Sequence, residues 1–169
     1  MHLLTAIPYL HAGDNMTRRE FLRNWQKLPK LKRAELIGGV VYMPSPVGTE
    51  HGDMENNLAT WVGTYKTATP GCAAGNNASV VLLQDCPQAD INLRIKREYG
   101  GKSWVQRKLL HGRPELFLEV CWSSASYDLH QKLDLYQGAG IPEYLVVIVK
   151  RKQIRWHRIV HGCAWRRCA

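Results

Sequence analysis

Apolar positions along this chain alternate between helical and strand spacing, and the places where the period changes mark the elements. Phe21, Leu22, Trp25 and Leu28 recur on one helical face after Thr17-Arg-Arg-Glu20, a sequence in which hydroxyl and carboxylate can each cap a backbone N–H. This predicts a short helix that ends before Pro29. Leu36-Ile37 and Val40-Val41-Tyr42 flank Gly38-Gly39, and two apolar runs joined by two glycines predict a hairpin with Glu35 at its first strand. From Thr49 to Tyr65 the residues Met54, Leu58, Trp61, Val62 and Tyr65 return to helical spacing. His51 shares their stripe, and Pro70-Gly71 closes the segment.

A strand is expected around residues 79–83. In Ala89-Asp90-Ile91-Asn92-Leu93-Arg94-Ile95 the period is two, so Ile91, Leu93 and Ile95 face one way and Asp90, Asn92 and Arg94 the other. Residues 100–114 read as a polar loop. Leu116-Phe117-Leu118-Glu119-Val120-Cys121 is apolar on both faces except at Glu119, the pattern of a strand covered on both sides. Leu129, Lys132, Leu133 and Tyr136 then fall at helical spacing. Ser123 to Asp128 would cap this helix, and Gly138 and Gly140-Ile141-Pro142 end it. Residues 143–149 and 153–160 form a second hairpin turning at Arg151-Lys152. The order predicts an α/β fold with a central mixed sheet flanked by helices, preceded by an N-terminal helix and hairpin. Residues 1–16 read as a loose leader, 17–162 as one domain and 163–169 as an irregular tail.

A chain of 169 residues, 45% hydrophobic and 22% charged, can bury a globular core, and no apolar run approaches the roughly 18 residues of a membrane span. The start lacks a basic segment followed by an apolar one, so no secretion signal is read and a cytoplasmic protein is expected. Five cysteines at irregular spacing argue against a disulfide framework. His157, His161, Cys163 and Cys168 contain no Cys-x-x-Cys and read as strand and tail side chains in preference to a zinc site. The net charge of +9 is uneven. Lys150, Arg151, Lys152, Arg155, Arg158, Arg166 and Arg167 follow position 149 with no acid among them, a basic end that suits a polyanion or simply faces water.

The chemistry concentrates in three residues. A lone carboxylate at Glu119 inside an apolar strand must be paired, protonated or bound to a cation, because burying it bare costs on the order of 5 kcal/mol. Lys132 sits in the packing stripe of the next helix, and Asp90 begins the polar face of its strand. Two acids and a base in an apolar frame point to a metal-dependent site or, more blandly, to a structural ion pair.

Glu35-Leu-Ile-Gly-Gly, Ser45-Pro-Val-Gly-Thr-Glu-His51, Gln88-Ala-Asp90, Leu118-Glu119-Val, Lys132-Leu-Asp-Leu-Tyr136 and Gly140-Ile-Pro-Glu-Tyr144 together resemble the Uma family of restriction-endonuclease-like proteins. That family is a branch of the PD-(D/E)XK nuclease superfamily, and the likeness runs from about Thr17 to Gly162. The resemblance implies that Asp90 and Glu119 bind a metal, Mg²⁺ or Mn²⁺, with the Val120 carbonyl as a further ligand. It makes Lys132 the catalytic lysine and brings His51 and, as an accessory, Glu35 to the same site. The activity implied is metal-dependent DNA endonuclease, with DNA as partner and a homodimer left open. Lys150, Arg151, Lys152 and Arg155 are the candidate DNA contacts. The competing reading is a catalytically inactive protein of the same fold that binds nucleic acid or a protein partner through its basic C-terminal end.

Overall fold

In the computed structural model every residue of the Glu119 strand, β7 (Leu116–Cys121), is buried, as its two-sided apolar run requires. Residues 9–31, 33–43, 48–122, 130–159 and 165–167 are described, the last three by their backbone. β7 runs parallel to β8 (Glu143–Ile148) on one side and antiparallel to β4 (Gln88–Ile95) on the other. The sheet continues outward from β4 through β3 (Cys72–Val81), β6 (Leu109–Arg113) and β5 (Lys102–Gln106). It continues outward from β8 through β9 (Gln153–Ile159) and β10 (Trp165–Arg167), making eight strands. A separate hairpin, β1 (Glu35–Ile37) and β2 (Val40–Tyr42), precedes it.

Helices cover both faces. α2 (Thr49–Ala68) lies on one, where Met54, Leu58 and Val62 pack on Ile91, Leu118 and Leu145. α3 (Gln131–Gly138) lies on the other, where the Tyr136 ring meets Phe117 at 4.6 Å and Tyr144 at 4.9 Å. α3 also makes the crossover that parallel pairing of β7 with β8 demands. Glu119 shares strand parity with Phe117 and Cys121, both in the core on the α3 side, and so it projects toward α3. A third core joins α1 (Arg18–Gln26) to the first hairpin through Phe21, Leu36, Val41 and Cys86. The Thr17–Glu20 capping box forms at the head of α1, as its sequence predicts.

Several expectations need correction. Residues 9–16 do not lie loose: Leu10 is buried in the α1 core, Asn15 bridges Val40, and Gly13 donates its N–H to Val41. The polar loop expected over 100–114 is largely the β5–β6 hairpin. Within the tail expected to be irregular, Trp165–Arg167 pairs with β9 as an edge strand. The strand expected at 79–83 is also longer, since β3 starts at Cys72 and is paired on both sides. The α3 caps proposed at Ser123 to Asp128, and His161, Cys163 and Cys168, lie outside the described residues.

Candidate active site

Lys132 is 2% exposed and sits between two carboxylates. Its Nζ lies 2.8 Å from Glu119 Oε1 and 3.0 Å from Glu35 Oε1, and it donates to the Gln88 carbonyl at 3.2 Å. Tyr136, one turn further along α3, donates its hydroxyl to Glu119 Oε1 at 3.2 Å. Glu35 also accepts the Gln88 N–H, so the small hairpin is tied to the start of β4 through the same carboxylate. A glutamate on a short hairpin ordinarily faces water. Here the hairpin folds over the α3 side of the sheet, and Glu35 is buried at 3% exposure.

Asp90 lies where two strands part. The β4–β7 ladder runs from Leu93 opposite Leu116 to Ile91 opposite Leu118 and stops there. Beyond it the Asp90 side chain takes over, Oδ2 accepting the Val120 N–H at 2.8 Å. The opening receives the first turns of α2. His51 Nε2 is 3.9 Å from Asp90 Oδ2 and 4.0 Å from Glu55 Oε2. Ligand atoms of His51, Glu55 and Asp90 all lie within 4.8 Å of one another, and this is the one such cluster among the described residues. Burial pushes the Asp90 carboxyl above the ordinary carboxylate range, and the neighbouring Glu55 adds to the shift. The Val120 N–H, the Lys132 charge and His51 oppose it without cancelling it.

The structure therefore divides the residues singled out in the sequence. Asp90 and His51 come together with Glu55, while Glu119 and Glu35 come together on Lys132. Glu119 is not part of the three-donor cluster, and Val120 donates its N–H to Asp90. Sequence reasoning missed Glu55. Its signal was available, since it stands four residues after His51 and so on the same side of α2. Lys150, Arg151 and Lys152 are exposed in the turn after β8, which contacts α2; Arg155 is half-buried on β9. β7 and β8 are parallel, so this turn lies at the end of the sheet where β7 finishes, just past Glu119 and Val120. Cys86, buried beside Glu35, has its thiol pushed up to about 12 by burial and by that carboxylate, which leaves it inert as a nucleophile.

The sequence profile of the Uma2 family, described as putative restriction endonuclease, matches residues 19–169. Among solved structures, the crystal structure of a putative nuclease belonging to DUF820 from Anabaena variabilis is similar with a TM-score of 0.66. It shares 16% identity over 85% of this chain and 79% of its own, which is a likeness of fold. No curated protein matches. No helix among the described residues is long and apolar enough to cross a membrane.

Proposed function

Because this chain belongs to the Uma2 family of putative restriction endonucleases, we propose that it is a divalent-metal-dependent DNA endonuclease. The observation that carries the proposal is the His51–Glu55–Asp90 donor set at the parted strands, beside the buried Lys132. Two ligand bonds of about 2.1 Å allow donors up to about 4.2 Å apart. The two His51 pairs, at 3.9 and 4.0 Å, fall within that span. Two carboxylates and an imidazole suit Mn²⁺ at least as well as Mg²⁺, since nitrogen is a poorer ligand for the harder ion.

When bound there, such an ion would supply an activated water and a counter-charge for the phosphate. The protein's own groups do the rest. Asp90 is fixed by the Val120 N–H, so a donor is in place before a cation arrives. Glu35 and Glu119 aim the Lys132 ammonium, whose charge favours negative charge building up on a nearby phosphate oxygen. In this arrangement Glu119 acts on the site through Lys132. The exposed Lys150, Arg151 and Lys152 provide sequence-independent attraction for a DNA backbone.

Incubation of supercoiled plasmid with the purified protein tests the proposal. Nicked circles should appear with Mn²⁺ or Mg²⁺, vanish with chelator and return when metal is restored. The second reading, an inactive nuclease-fold binding protein, draws support from the Lys132 ammonium, which is engaged by Glu119, Glu35 and the Gln88 carbonyl as a structural ion pair would be. Nicking that never appears with any divalent ion would favour it. Under either reading, replacing Arg151, Lys152 and Arg155 by Gln should weaken DNA binding in chelator. The slope of log affinity against log salt should fall by about one for each phosphate that is no longer neutralised. An unchanged slope, measured by fluorescence anisotropy, would mean the basic end faces away from DNA.

A further inference from the structure

At the far end of α2 from His51 and Glu55, a cavity of about 530 Å³ opens between that helix and the lower edge of the sheet. Trp61, Tyr65, Tyr99 and Trp156 contribute rings to its wall. By helical spacing Trp61 and Tyr65 belong with Val62 in the core, yet they remain 47% and 51% exposed because they overhang the cavity instead of filling it. Tyr99 is held in place by a glycine. Gly71 has φ +86°, and a Cβ added there would lie 2.6 Å from the Tyr99 ring. Two acids and Arg94 supply the charged part of the wall. Glu115 Oε2 accepts the Ile95 N–H at 2.6 Å and Glu143 Oε2 accepts the Trp156 indole N–H at 2.8 Å, which orients each carboxylate and leaves its Oε1 without a protein donor among the described residues.

We propose that this cavity receives an unstacked nucleobase of a single DNA strand whose backbone runs along α2 from the candidate metal site, an inference that rests on the nuclease reading and extends it to a single-stranded substrate segment. Aromatic faces stack any base, and a fixed carboxylate oxygen accepts from exocyclic amino groups such as those of cytosine, adenine and guanine. Arg94, whose Nη1 donates to Asn92 Oδ1 at 3.0 Å, also lines the cavity, so the two acids exceed the lining cation by one charge and an uncharged base suits the interior better than a phosphate. Lys66 and Lys96 are exposed next to the lining residues Tyr65 and Ile95, where they can meet the phosphates on either side of that base. Glu55 and Tyr65 are ten residues apart on α2, about 15 Å at 1.5 Å per residue, a span of a few nucleotides.

The test is anisotropy of a labelled single-stranded oligonucleotide binding to the full chain in chelator, where no cleavage contributes. Trp61→Ala and Tyr65→Ala should each weaken binding by about 5- to 150-fold, the range for removal of a stacking partner, while Trp61→Phe retains most of it. An oligo-dC should bind more tightly than an oligo-dT, and Glu143→Gln should narrow that difference. Wild-type affinity in both alanine variants, or equal affinity for an abasic strand, would overturn the proposal. So would deoxycytidine monophosphate binding as tightly as the oligonucleotide, which would make the cavity a mononucleotide site. Circular dichroism of each variant separates a folding defect from a binding defect, and both alanine changes remove rings already half in solvent. Failure of plasmid nicking would bear on the metal site and leave this binding result standing.

Discussion

Lys132→Met is expected to destabilise the protein by about 3–5 kcal/mol, the cost of stripping the partner from a buried charge. From the helical stripe alone, methionine looks like a tolerated replacement, since it keeps the aliphatic bulk. The structure reverses that expectation, because the ammonium is shared by Glu119 at 2.8 Å and Glu35 at 3.0 Å, and removing it leaves two buried carboxylates facing the same hole. Urea denaturation should show a large drop in the midpoint. Adding Glu35→Gln and Glu119→Gln to Lys132→Met should recover most of it, since three neutral side chains of similar shape remain. A single substitution costing under about 1 kcal/mol would mean that the two acids are not held charged by this lysine. The triple variant is also the instructive one for chemistry. It should fold and keep Asp90, His51 and Glu55, yet nick plasmid several orders of magnitude more slowly.

Asp90→Asn is expected to change stability in opposite directions with and without metal. Burial raises the Asp90 carboxyl above its unfolded value of 3.8, so between the unfolded and the raised folded pKa the native state holds the extra proton. Stability therefore falls as pH rises through that window, and the loss persists at higher pH. Asparagine carries no such charge. In chelator at neutral pH the variant should melt above the wild type, and below the unfolded pKa the difference should disappear. Saturating Mn²⁺ should reverse the order: a ligand at 100 times its Kd stabilises the wild type by about 2.7 kcal/mol and the variant by little. Plasmid nicking should be abolished in the variant. A lower melting point in chelator, or an equal gain from Mn²⁺, would contradict the assignment of Asp90 as a buried donor.

The elements that could be read in advance are those whose pattern and burial agree. β7 is the clearest case, because its six apolar or isolated charged positions admit only a strand covered twice. The β5–β6 hairpin was illegible for two reasons. Lys102–Gln106 is mostly exposed, so it shows no buried face. Its turn is Arg107-Lys108, both at positive φ, where the usual signal is asparagine or glycine. The first half of β3 does not show in the sequence because Ala73-Ala74-Gly75-Asn76-Asn77 has little β-propensity and is drawn into the sheet by its partners. At the site, Asp90, Glu119 and Lys132 stand out in the sequence as charges in apolar frames. The direct pairing of Glu35 with Lys132 does not, since it joins residues from two distant segments, and Glu55 carries no signal beyond its spacing from His51. The resemblance grouped Asp90 with Glu119 on one cation. The structure places two neighbours from α2, His51 and Glu55, beside Asp90 at the point where the β4–β7 ladder ends.

Calorimetric titration of Mn²⁺ into the wild type and into Glu55→Gln tests the metal centre most directly, since Glu55 enters the account through geometry alone. The wild type should bind Mn²⁺ at a site occupied once per chain, and Glu55→Gln, which keeps size and loses charge, should weaken that binding at least about tenfold, with Glu115→Gln as an unaffected control. No measurable binding by the wild type, or equal affinity in Glu55→Gln, would contradict a metal held by His51, Glu55 and Asp90.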